Sequence, residues 1–207
     1  MTQTVVLVPG VGLGGTELAV LAWRLRRSGY QVRIFWTNPW SGNLAAKARA
    51  LHGMLSEHRI ESPYFVAHSF GGLIVLQLLA DYPQWAVTRV VTLGSPLRGC
   101  GAALRVMRIP GGRWVVGEAL ASEASAQSLP IPAGCDAGSI AGRFNFLLGL
   151  WLCPHKPNDT IVCVDETCHP QLAAHRVLFV SHTSMLVSAQ VSAQVLYFLR
   201  VGEFLPE

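Results

Sequence analysis

The stretch YFVAHSFGGLIV, residues 64–75, places a serine and two glycines between two apolar runs. Its centre, AHSFGG, has the pattern small-x-Ser-x-Gly, in which small neighbours let the backbone turn sharply from a strand into a helix. Such a turn exposes the serine hydroxyl at the carboxyl edge of an open α/β sheet, where these sheets bind their ligands. Ser69 is therefore a candidate nucleophile.

Backbone N–H groups beside Ser69 could bind the oxyanion that forms when a serine attacks an acyl carbon. The helix that begins after Ser69 offers the N–H of Phe70 and the positive end of its dipole. The second donor is expected from the first strand-to-helix loop, PGVGLGG at 9–15, where glycines let a substrate approach the backbone. We predict that Val11 supplies it.

A serine is a weak nucleophile and needs a base, which one of the seven histidines must provide. On a strand, His68 would point to the opposite face from Ser69, and His52 and His58 lie in a predicted helix far from the strand ends. His182 follows a late strand and precedes the last helix, at the same edge as Ser69. We therefore predict that His182 is the base.

An acid is needed to orient this imidazole and to stabilise its cation. The stretch KPNDTIVCVDE, residues 156–166, offers Asp159, Asp165 and Glu166. Asp159 precedes the apolar run in this stretch, whereas the other two follow it. The residues alone leave all three open.

The elements that must hold these residues follow a regular alternation. Short β-branched runs, read as strands, alternate with segments of helical apolar spacing; the strand segments are TVVLVP, YQVRIFW, PYFVAH, VTRVVTLGSP, AGSIAGRF and HRVLFVSH. Such an alternation predicts an open, mostly parallel α/β sheet of about six strands with helices on both faces. We find no repeat or linker and expect one domain over residues 1–207.

Two segments allow two interpretations each. Residues 97–135 are rich in Gly, Ala and Arg, and they form either a small cap over the site or an ordinary irregular connection. The apolar run FNFLLGLWL, residues 144–152, either lines an acyl pocket or packs in the core.

Composition indicates a folded protein, with 51% hydrophobic and 14% charged residues and a net charge of +4. The basic residues are scattered, which argues against nucleic-acid binding.

No acidic residue lies between Asp81 and Glu118, so the arginines there form either a solvated face or one attracted to an anionic membrane surface or substrate. The start MTQTVVLVPG has no signal-peptide pattern, and we expect a cytoplasmic protein.

Five cysteines, an odd number, favour free thiols. CPH at 153–155 and CVDETCH at 163–169 bring cysteine and histidine close together, but their spacing matches no structural zinc pattern. We therefore predict no metal and no cofactor, and we interpret the cysteines as small buried side chains.

These motifs together resemble those of the α/β-hydrolase superfamily, and AHS is matched residue for residue in its compact Bacillus-type lipases. The resemblance extends from VVLVPG to VGEF and includes the chain order Ser69, Asp159, His182. The family's HG oxyanion motif corresponds to Pro9 and Gly10, without the histidine.

The acid of these hydrolases commonly stands in an NDGxV stretch, which NDTIV at 158–162 resembles except that Thr160 replaces the glycine. This similarity favours Asp159 over Asp165. The stretch SHTSMLVS likewise resembles the family's histidine loop.

The resemblance implies a serine hydrolase of the esterase or lipase type that cleaves acyl esters through an acyl-enzyme. Its substrate would be a small ester or a lipid, with contact to a lipid surface and without an obligate protein partner. Two alternatives remain open. The same residues could serve an acyltransferase, thioesterase or amidase, and the fold could belong to a binding protein without turnover.

Overall fold

The computed structural model describes residues 2–11, 14–38, 42–85, 87–116, 128–154 and 156–206. Its six strands form one sheet in the order β2-β1-β3-β4-β5-β6, and every pairing is parallel. The strands are β1 (Thr4–Val8), β2 (Gln31–Ile34), β3 (Tyr64–His68), β4 (Arg89–Leu93), β5 (Asp136–Gly142) and β6 (Ala174–Leu178). The predicted parallel sheet of about six strands is confirmed.

The α-helices of the described residues are α1 (Ala19–Arg27), α2 (Leu44–Glu57), α3 (Phe70–Asp81), α4 (Gly101–Val106), α5 (Gly112–Val116), α6 (Leu147–Leu152) and α7 (Ala189–Val201). Short 3₁₀ turns lie at Thr16–Leu18, Val164–Thr167 and Ser184–Leu186. Residues 184–201 are thus divided into a turn and α7. The division occurs at Ser188, whose side chain caps α7 by accepting a hydrogen bond from the N–H of Val191.

Helices cover both faces of the sheet, as the alternation predicted. On β1, Val6 and Val8 pack with α2 and α3, whereas Val5 and Leu7 pack with α1 and α7. Successive side chains of a strand point to opposite faces, so a strand covered on both sides is apolar throughout. This explains the continuous run VVLV in the sequence.

Helices α4, α5 and α6 form a third layer, which we call the cover helices. They pack around a separate buried cluster that consists of Cys100, Ala102, Ala103, Val116, Leu152, Cys153 and Cys163. The segment 97–135, for which a cap and an irregular connection were both open, contains α4 and α5, while residues 117–127 lie outside the described residues. Within the described ranges, no helix combines the length and the apolar character needed to cross a bilayer.

Candidate active site

Ser69 stands in the sharp turn between β3 and α3, with φ of 54° and ψ of −126°. A non-glycine residue rarely adopts such a positive φ, and the tight packing around the turn maintains it. A Cβ added to Gly71 would collide with the carbonyl oxygen of Val8, and one added to Gly72 would collide with the side chain of Ser95. The two glycines of AHSFGG therefore let α3 lie directly against the strands beside it.

The loop after β1 contacts Ser69 from the other side. A Cβ added to Gly10 would lie 2.8 Å from Ser69 Cβ and 3.3 Å from its Oγ, so the backbone of this loop closely approaches the hydroxyl. Val11 lines the same pocket as Ser69, and Phe70 is the first residue of α3, where N–H groups have no partner within the helix. The oxyanion roles of Val11 and Phe70 stay predictions, and residues 12–13 of the loop lie outside the described residues.

Asp159 and His182 are joined by a short hydrogen bond of 2.7 Å between Oδ2 and Nδ1. Both are buried, with 1% and 5% of their surface exposed. The other carboxylate oxygen, Oδ1, accepts the N–H groups of Ile161 at 3.0 Å and Val162 at 2.8 Å. Each oxygen of the buried carboxylate thus has a hydrogen-bond partner, and the bond to Nδ1 fixes the orientation of the imidazole.

The other two acids of this segment lie elsewhere. Asp165 forms an exposed ion pair with Lys156 at 2.6 Å. Glu166 accepts the N–H groups of Gly101 and Cys163. The structure therefore places Asp159 beside His182, and it places the other two candidates elsewhere.

A glycine that the sequence analysis overlooked makes room for this pair. Gly94 follows β4 with φ of +56°, and a Cβ there would lie 2.8 Å from Asp159 Oδ2 and 3.1 Å from His182 Nδ1. Its position in VTRVVTLGSP, at the end of a predicted strand, was the available signal, because such a glycine marks a close backbone approach.

Ser69 and His182 line one pocket with a volume of about 600 Å³. The hydrogen bonds of the described residues do not include one between Ser69 and His182; such bonds often tighten only when substrate is bound. Much of the remaining wall is apolar and includes Val106, Val116, Leu148, Leu152, Ile161, Leu186 and Val187. The arrangement combines a buried acid and imidazole pair with a serine beside an apolar cavity.

His68 lines the same pocket as Ser69 and His182, although its place on a strand predicted that it would point to the opposite face from Ser69. Side chains alternate between the two faces only along a strand, and β3 ends at His68 because the chain turns at the next residue. The His68 ring lies 4.7 Å from the His182 ring, and its Nε2 lies 3.0 Å from the carbonyl oxygen of His182. Burial, reinforced by repulsion from His182, lowers the pKa of His68 to about 3.

A neutral His68 therefore donates its Nε2 proton to the backbone of His182. Its Nδ1 is buried and has no hydrogen-bond partner among the described residues. This bond engages Nε2 and ties the His68 side chain to the backbone of the histidine loop.

Thr160, which stands where the resemblance expects glycine, has φ of 102°. Its hydroxyl accepts the N–H of Phe146 at 3.1 Å, and its own N–H donates to Asn158 Oδ1 at 2.9 Å. These two bonds hold the strained residue and connect the Asp159 loop to the start of α6.

No protein-family model matches the chain, and no curated protein matches it either. Solved structures do resemble it. The mature form of the Bacillus licheniformis lipase BlEst2 is 17% identical, with a TM-score of 0.77 over 98% of this chain and 93% of that chain. The metagenomic carboxyl esterase MGS0156 is 20% identical, with a TM-score of 0.68 over 88% and 65%.

An esterase from Exiguobacterium antarcticum, EaEST, is 13% identical, with a TM-score of 0.64 over 96% of this chain and 92% of that chain. At such identities the likeness concerns the fold. The chain therefore has the α/β-hydrolase fold that its sequence motifs predicted.

Proposed function

We propose that this protein is a serine hydrolase that cleaves carboxylic esters through an acyl-enzyme intermediate. The observation that carries the proposal is the buried hydrogen bond between Asp159 and His182, in a pocket that Ser69 also lines. The chain order of these residues matches the order used by hydrolases of this fold.

In the proposed reaction, Ser69 Oγ attacks the acyl carbon while His182 Nε2 takes its proton. Asp159 holds the Nδ1 proton of His182 and stabilises the imidazolium, and the N–H groups of Val11 and Phe70 bind the oxyanion. His182 then gives the proton to the leaving alcohol. A water molecule, deprotonated by His182, releases the acid and restores Ser69.

The apolar wall of the pocket supports the proposal that the substrate is an ester with an apolar acyl chain. Leu148 and Leu152 of α6 line the pocket, whereas Leu147 is 86% exposed. Of the two interpretations of FNFLLGLWL, we therefore propose the lining of an acyl pocket. Burying the methylene groups of an acyl chain stabilises its complex by about 0.8 kcal/mol for each group.

A lipid aggregate as the substrate is the second candidate, and the surface of the cover helices supports it. Large apolar side chains of this layer are exposed: Leu104, Ile109, Trp114, Phe146, Leu147, Leu150 and Trp151. Arg105, Arg108 and Arg113 are exposed beside them, in a stretch without acidic residues. An apolar surface with a basic rim favours contact with anionic lipid.

The central experiment measures a chain-length series of p-nitrophenyl esters and acyl-CoA thioesters with the wild type and Ser69→Ala. We expect ester turnover with a maximum at one chain length, and a loss of at least about 10⁴-fold in kcat for Ser69→Ala. The matched control is Ser56→Ala, because the Ser56 side chain is exposed on α2 and donates to the His52 carbonyl, far from the pocket of Ser69. Turnover that survives in Ser69→Ala would overturn the proposal.

Labelling separates this proposal from a binding protein without turnover. A fluorophosphonate probe should modify the wild type and Ser56→Ala at Ser69, and it should leave Ser69→Ala unlabelled. Adding an alcohol or amine acceptor distinguishes hydrolysis from acyl transfer, because a transferase would divert most of the acyl group to the acceptor.

A further inference from the structure

Two buried thiols lie together in a place that the proposed mechanism does not use. Cys153 follows the last residue of α6, and Cys163 precedes the 3₁₀ turn Val164–Thr167. The sulfur atoms of Cys153 and Cys163 and a carboxylate oxygen of Glu166 all lie within 4.8 Å of one another. Cys100 belongs to the same buried cluster.

The two cysteines flank the loop that carries Asp159. The ends of this loop are already held close, since Asn158 Nδ2 donates to the Cys153 carbonyl at 3.2 Å and the Val164 N–H donates to the Pro157 carbonyl at 2.9 Å. A covalent bond between the sulfurs would therefore close a loop whose ends are already held together by hydrogen bonds.

Glu166 favours thiol chemistry over a metal ion at this place. Its two oxygens already accept backbone N–H groups, from Gly101 at 2.6 Å and from Cys163 at 2.8 Å. A zinc ion prefers four nitrogen or sulfur ligands with short bonds, and this cluster would offer it two thiolates and an engaged carboxylate.

We propose that Cys153 and Cys163 form an intramolecular disulfide that fastens the end of α6 to the loop of Asp159. In the presence of a small disulfide such as oxidised glutathione, the Cys163 thiolate attacks one glutathione sulfur and expels one glutathione thiolate. The Cys153 thiolate then attacks the Cys163 sulfur of this mixed disulfide and expels the second. The two protein thiols are oxidised, one glutathione disulfide is reduced, and the two thiol protons end on glutathione.

Burial slows this reaction. Burial raises the pKa of both thiols, and a hydrogen bond from the Cys153 thiol opposes part of the rise at Cys163. Cys163 is therefore the better first nucleophile, although little of it is thiolate near neutral pH. The disulfide forms slowly and, once formed, is shielded from reductants by the same burial.

The experiment uses the wild-type chain incubated with oxidised or reduced glutathione. After oxidation, alkylation of the denatured protein should leave three of the five cysteines reactive, and peptide mapping should find Cys153 linked to Cys163. The Tm of the oxidised sample should exceed that of the reduced sample by about 5–10 °C, as expected for closing a short loop in a chain of this size.

Each variant is compared with itself in the two redox states, so a general loss of stability cancels. Cys153→Ala and Cys163→Ala should lose both the link and the Tm difference, whereas Cys135→Ala, outside the cluster, should keep both. Mixed glutathione adducts without the link, a link to Cys100 instead, or a linked pair without a rise in Tm would each overturn the proposal. So would about one zinc ion per chain bound by the pair in the purified protein. None of these outcomes depends on ester turnover.

Discussion

On one side of the pocket, the carboxyl edge of the sheet holds Asp159 and His182 with 1% and 5% of their surface exposed. On the other side, the cover helices expose Trp114 by 85% and Leu147 by 86%. The first side is polar, and hydrogen bonds hold both Asp159 and His182. The second side is apolar, and much of it meets solvent.

This difference separates two tasks. Buried polar groups interact strongly in a low local dielectric, but only in one geometry, so the sheet edge tolerates little change. Exposed side chains have few partners, and their replacement costs little stability. We infer that the sheet edge determines the chemistry and that the cover helices determine which substrate reaches it.

The largest effect is expected for Asp159→Asn. An amide cannot replace the carboxylate that holds the Nδ1 proton of His182 and stabilises its cation, so kcat for p-nitrophenyl butyrate should fall by about 10³–10⁴-fold. The control is Asp165→Asn, because the Asp165 side chain is exposed and pairs with Lys156 at the surface. Its kcat should change by less than about twofold. Equal losses of kcat in both variants would contradict the different roles of the buried and the exposed acid.

Gly94→Ala should disturb the polar side of the pocket through the volume of its added Cβ. Its Cβ would press on Asp159 Oδ2 and His182 Nδ1, and we expect kcat to fall by about 10–100-fold and the free energy of unfolding by about 1–3 kcal/mol. Gly134→Ala is the matched control: φ is +82° there, and an added Cβ meets nothing within 4 Å. The control should lose only about 1 kcal/mol and keep its kcat. Kinetics and chemical denaturation of both variants test this.

His68→Phe should lower kcat by about 3–10-fold, because it removes the donor to the His182 carbonyl and leaves that oxygen unpaired. His68→Gln is the paired variant, since its amide can still donate there. We expect it to retain most of the activity that His68→Phe loses. Equal kcat losses in the two variants would contradict the positioning role of His68.

The same pair of variants tests the buried, neutral state of His68. The unfolded chain protonates this histidine below pH about 6.5, whereas the native state excludes the proton until pH about 3. Between these values the unfolded state binds more protons, so the free energy of unfolding decreases as the pH falls, by up to about 1.4 kcal/mol per pH unit. Both variants should show a weaker acid dependence than the wild type in denaturation experiments from pH 4 to 7.

The sequence predicted those features that depend on local pattern. The strand and helix order follows from apolar spacing, and the carboxyl ends of parallel strands necessarily meet, which is why Ser69 and His182 share an edge. The contact of His68 with the histidine loop escaped prediction because it depends on the turn at Ser69. Gly94 and Thr160 have roles defined by neighbours distant in sequence. Likewise, the apolar spacing of α6 does not predict whether its side chains contact other helices, a cavity or solvent.

The smallest effect on stability, and the sharpest test of the cover helices, is expected for Leu147→Ser. Because this side chain is 86% exposed, the free energy of unfolding should change by less than about 0.5 kcal/mol, and kcat/KM for a soluble short-chain ester should stay constant. On an emulsified ester with anionic lipid, activity should fall several-fold, because an apolar contact with the surface is lost. Leu148→Ala, which alters the pocket wall, should instead raise KM for long-chain esters in both assays. If Leu147→Ser were as active as the wild type on the emulsion, the exposed surface would have no part in substrate access, and the pocket wall alone would select the acyl chain.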